Sequence, residues 1–77
     1  NNGVIAGQLA QVLVEQFGIP DTPRLRFVLE IAVEAADALI KLAFRRNAEG
    51  DEQVLAEAKA LIREYLHRQM EGQPTAG

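Results

Sequence analysis

The sequence contains no cysteine and no tryptophan, and only one residue each of histidine, tyrosine and methionine. Without cysteine there is no disulfide framework and no thiolate chemistry. That leaves the redox compartment open, and a cytoplasmic location is expected. Positive charge is also scarce: 8 Lys and Arg stand against 11 Asp and Glu, for a net charge of −3. Such a balance argues against nucleic acid or an anionic membrane as the direct partner. No basic segment followed by an apolar block marks a signal peptide. No uninterrupted apolar run approaches the ~20 residues of a membrane span. The chain starts Asn1-Asn2-Gly3 without a methionine, so a piece of a longer protein, or a trimmed one, is expected. There is no phosphate loop, no Ser/His/Asp set and no zinc-ligand spacing, and catalytic residues, metal ligands and cofactors are expected to be absent.

What is present is a normal globular balance, 48% hydrophobic and 25% charged over 77 residues. That is one small domain or part of one. Folding it as a monomer removes roughly 7,500 Å² from water. If about 60% of this is apolar, burial contributes on the order of 110 kcal/mol. Ordering the chain, at ~1.5 kcal/mol per residue, costs about the same. Further burial against a partner would therefore stabilise it.

Residues 23–46 dominate the pattern. Their polar positions Arg26, Glu30, Glu34, Asp37, Lys41 and Arg45 recur every three or four residues, a helical period that gathers charge into one stripe. The rest of the helix is an apolar arc of roughly 240° at about 100° per residue. A surface helix needs an apolar stripe only a little over ~100° wide. Thr22 or Asp21 can cap this helix, Pro23 suits its first turn, and Arg45 and Arg46 suit its negative end. Before it, residues 4–17 place Ile5, Leu9, Val12, Leu13 and Phe17 on one face, with Asn2 a possible cap. Gly18, Ile19 and Pro20 end that helix. After it, Asn47–Gly50 is a turn and Asp51 a cap for a third helix over about 52–71. Val54, Leu55, Ala58, Leu61, Ile62, Tyr65 and Leu66 form its apolar face. Gly72 and Pro74 stop it, so the domain runs over 1–72 and 73–77 is a disordered tail. The expected fold is all-α: three helices in antiparallel arrangement, the last two forming a four-helix bundle with a second copy.

Chemistry-bearing patterns are weak. Glu64-x-x-His67 has the spacing of di-metal helical bundles, but such sites need a second motif and there is one histidine. Glu30, Glu34 and Asp37 read as a solvated face. Arg24 and Arg26 sit at the opposite end from Arg45 and Arg46 of a helix about 36 Å long, so they do not form one basic patch. The informative feature is an alanine seam. Ala32, Ala35, Ala36 and Ala43 lie opposite the charged stripe, with Phe27, Ile31, Ala38 and Leu42 on one flank and Leu29, Val33, Ile40 and Phe44 on the other. Small residues between large flanks let another helix approach closely.

Gly18-Ile19-Pro20, then Phe27-Val28-Leu29-Glu30-x-Ala32-Val33-Glu34-Ala35-Ala36-Asp37-Ala38-Leu39 through Arg45, then Glu57-Ala58-Lys59-x-Leu61-Ile62-x-x-Tyr65-Leu66 resembles the C-terminal end of TetR-family transcriptional regulators. The resemblance covers most of residues 9–68. It implies a repressor's dimerisation and ligand-binding region, with a homodimer as the assembly and a small apolar effector in the full-length protein. It also implies that DNA is met only through an N-terminal helix-turn-helix not found in these residues. The dimer interface is then expected at Ala32, Ala35, Ala36, Leu39, Ala43, Leu61, Ile62 and Tyr65. Phe27 and Ile31 are expected to line the effector cavity. The alternatives are a self-contained three-helix module for protein–protein interaction and, more remotely, a metal bundle using Glu64 and His67.

Overall fold

The computed structural model describes residues 2–71. Among these it forms three helices and no strand: α1 (Asn2–Phe17), α2 (Pro23–Arg46) and α3 (Glu52–Glu71). The all-α expectation holds, and the boundaries of α2 and α3 fall where the caps and stops place them. Asn1 and the expected tail at 73–77 lie outside the described residues. No described helix is long and apolar enough to cross a membrane. Contacts divide the chain within α2, between Glu34 and Ala35, into two compact units.

The first unit joins α1 to the N-terminal half of α2. Asn2 is already helical, so it is the first residue of α1 and not its cap. Gly18, at φ +66°, turns the chain out of α1, and the Ile19 N–H donates to the Leu13 carbonyl at 3.5 Å. At the start of α2 the two cap candidates separate. Thr22 Oγ1 accepts the Leu25 N–H at 3.1 Å, so Thr22 is the cap. Asp21 instead takes the Arg26 guanidinium through two bonds, at 2.9 and 3.0 Å. From α2, Leu25, Val28, Leu29 and Ala32 are buried, a helical stripe at i, i+3, i+4 and i+7.

The inward face of α1 differs from the expectation. Ala6 and Ala10 are the buried residues, with Ala10 fully covered, while Val4, Ile5, Leu9, Val12 and Phe17 are exposed. The physical reason is distance. Alanines at a helix contact let backbones come close, and close approach sends larger side chains to the sides. Gly7 belongs to the same small-residue side, where an added Cβ would sit 3.8 Å from Arg26 Nη1.

The second unit joins the C-terminal half of α2 to α3 through a tight turn. The Ala43 carbonyl accepts two N–H groups, from Asn47 at 3.1 Å and from Asp51 at 3.0 Å. The Gly50 N–H closes a turn onto the Asn47 carbonyl at 2.8 Å, and Asn47 Oδ1 accepts the Glu49 N–H at 3.0 Å. Asp51 then caps α3: its Oδ1 accepts the N–H groups of Gln53 at 2.9 Å and Val54 at 3.2 Å. Its Oδ2 takes Arg46 Nε at 2.9 Å. Arg46 thus ties the end of α2 to the start of α3, in addition to suiting the helix dipole. The core of this unit is small: Ala43 is fully buried, and Ala58 and Gly50 are nearly so.

Both turn carboxylates titrate low. The Arg46 hydrogen bond, then that of the Val54 N–H, holds Asp51 below the usual value near 3.8. The Arg26 guanidinium does the same for Asp21. A carboxyl depressed in the folded state contributes stability that is present above its unfolded pKa and lost as pH falls through the folded one. The melting temperature is therefore expected to be flat from neutral pH to about 5 and to fall below about 4. Asp51→Asn keeps a good cap but removes the titrating charge, so its melting curves should show a weaker acid loss than wild type.

Candidate functional site

The charged stripe of α2 is solvated. Arg26, Glu30, Glu34, Lys41 and Arg45 are exposed and Asp37 is half-buried. Asp37 holds Lys41 Nζ at 2.9 Å, the i,i+4 pair that the spacing provides. Arg24 lies over the Phe27 ring at 5.7 Å. On α3, Glu64 faces Arg68 at 3.8 Å and His67 faces Glu71 at 3.7 Å, all four side chains largely in solvent. Glu64 and His67 are therefore engaged along the helix with different partners. Among the described residues no group of three or more His, Cys, Asp or Glu is placed to hold a metal ion.

The second unit carries an apolar groove of about 560 Å³ between α2 and α3. Ala36 and Ile40 form one wall, and Leu55, Ala58, Lys59, Ile62, Arg63 and Leu66 form the other. With α2 ending at Arg46 and α3 starting at Glu52, an antiparallel pair sets Ile40 near the level of Ala58 and Lys59, and Ala36 near that of Ile62. The surface is almost wholly carbon. Lys59 and Arg63 contribute their methylene stems while the residues themselves remain exposed. The groove is open, so it suits a second surface laid along it as well as a ligand enclosed within it.

The residues expected at a dimer interface fall into three groups. Ala32 and Ala43 are buried by the chain's own packing. Ala35, Ala36, Leu39, Ile62 and Tyr65 are half-buried, and Leu61 is 57% exposed. Of these, Ala36 and Ile62 line the groove. Phe27 and Ile31, expected in an effector cavity, are both exposed on the first unit, along with much of the apolar surface of α1. Leu55, Leu66, Lys59 and Arg63 were not legible as one site. The apolar pair belonged to the inward face of α3 and the basic pair to its polar side, and only the pairing of α3 with α2 brings them to one groove.

The described residues thus form three helices with a carbon-lined groove and much uncovered apolar surface. Residues 1–70 match the family described as "Tetracyclin repressor-like, C-terminal domain". The chain therefore belongs to that family, the C-terminal regions of TetR-type transcription regulators, where ligand binding and dimerisation reside. No curated protein and no solved structure matches the chain.

Proposed function

We infer that this chain is the dimerisation and effector-binding region of a TetR-like repressor in the cytoplasm, and that it works as a homodimer. The observation that supports this most is the open groove between α2 and α3. It leaves Ile40 46% exposed beside a carbon surface that the protomer itself does not cover. A second copy carries the same groove, so one isologous contact removes both from water. Ala36 and Ile62 supply part of that contact from the groove wall, and Ala35, Leu39, Leu61 and Tyr65, accessible outside the groove, form a second part of the interface. Ala32 and Ala43 act from beneath, by letting helices lie close. Phe27 and Ile31 form one wall of a cavity for a small apolar effector, and other parts of the full-length protein supply the remaining walls. Operator DNA is read by a separate N-terminal segment.

Ile40→Glu tests the reading. Ile40 is half exposed in the protomer, so a carboxylate there is tolerated by the single chain but costly when buried in a dimer. Sedimentation should give a dimer for wild type. The variant should be a monomer of unchanged helicity, with dimer affinity reduced about a hundredfold or more. A wild-type chain that sediments as a cooperatively melting monomer would instead support a self-contained module for a different protein partner.

A further inference from the structure

The two edges of the groove carry opposite charge. On α3, Lys59 and Arg63 stand one turn apart with their stems on the groove wall. Neither makes an ion pair among the described residues, whereas Arg26, Lys41, Arg46 and Arg68 each meet a carboxylate. Like charges four residues apart on a helix repel, so an external anion beside both would be favoured. On α2, the helical period carries the surface from Ile40 round to Asp37, Lys41 and Glu34, an edge of two carboxylates and one cation that is net acidic. Asp37 already holds Lys41, and a carboxylate can accept further donors.

We propose that Lys59 and Arg63 pair with Glu34 and Asp37 of the partner subunit, twice per dimer, and that this pairing sets α3 of one copy over α2 of the other. The inference rests on the homodimer read above. Two symmetric ways exist to close one such groove on another. A two-fold axis across the groove lays α3 on α3 and brings four cations together. An axis along the groove lays α3 on the partner's α2. With α2 and α3 antiparallel about the turn at 47–51, Lys59 and Arg63 stand near the levels of Ile40 and Ala36, so the basic pair then arrives near positions 34–41 of that helix. Edges of net opposite charge meet only in the second arrangement, and like-charge contacts across an interface are strongly disfavoured.

The test is a charge exchange read by sedimentation. Lys59→Glu with Arg63→Glu, and separately Glu34→Lys with Asp37→Lys, should each weaken the homodimer at least about tenfold. Mixing the two double variants should restore a heterodimer to within about threefold of wild-type affinity. A double variant that dimerises like wild type, or a mixture that shows no recovery, overturns the pairing while the dimer itself stands. A wild-type monomer removes the dimer and the pairing together. If a double variant loses helicity, the salt dependence of the wild-type dimer decides. Kd should rise several-fold from about 50 to about 500 mM salt, and a flat response overturns the proposal.

Discussion

Gly50→Ala should lower stability by roughly 2–3 kcal/mol, enough to move the melting temperature down by about 10 °C or more in a chain of this size. Two effects add. Gly50 has φ +91°, a backbone conformation that costs an L residue on the order of 1–2 kcal/mol. The methyl group would also sit 3.1 Å from Phe44 Cζ, closer than ordinary contact, and 3.4 Å from Leu55 Cδ1, at its edge. The Phe44 ring would have to give way at the junction of α2 and α3. Gly18 supplies the control. It has φ +66°, but nothing lies within 4 Å of its added Cβ. Gly18→Ala should therefore show backbone strain alone, and the difference between the two melting curves isolates the contact with Phe44 and Leu55. Equal losses at the two positions would mean that this contact carries no weight.

Ala43→Glu is expected to unfold the second unit, at a cost of about 3–5 kcal/mol, the range for a buried charge without a partner. Ala43 is fully buried and stands where α2 ends against the turn. The same carboxylate placed three residues earlier, at Ile40, should leave the fold intact and abolish only association. Circular dichroism against denaturant separates the two: a shifted unfolding midpoint for Ala43→Glu, an unshifted one for Ile40→Glu at protein concentrations where both chains are monomeric. If Ala43→Glu kept wild-type stability, the seam would not be packed as described.

This contrast also shows what could be read from the residues alone. Helix identity and ends came through clearly because local chemistry decides them. The period of Arg26 to Arg45 fixed α2, and Thr22, Gly18 and Asp51 marked ends that need few distant contacts. Which face turns inward was less legible. Ranking by apolarity puts Ile5, Leu9 and Val12 inside α1, but packing distance favours Ala6 and Ala10, and a hydropathy pattern carries no information about distance. The alanine seam had the same ambiguity. Small residues announce a close neighbour without saying whether it is the next helix or another molecule. At Ala32 and Ala43 the neighbour is this chain. The groove was illegible for a further reason: its walls come from two helices, and Lys59 and Arg63 look like ordinary solvated charges until Ala36 and Ile40 are set opposite them.

The doubly engaged carbonyl of Ala43 bears on how the molecule reaches its native state. One oxygen receives both the N–H that finishes α2 and the N–H of the residue that caps α3. Closing so short a loop loses little chain entropy, and every group that locks it lies within a dozen residues. Contacts this close in sequence form early and fast. The turn from Ala43 to Leu55 is thus suited to be the point from which the helical hairpin zips outward, with the groove completed last.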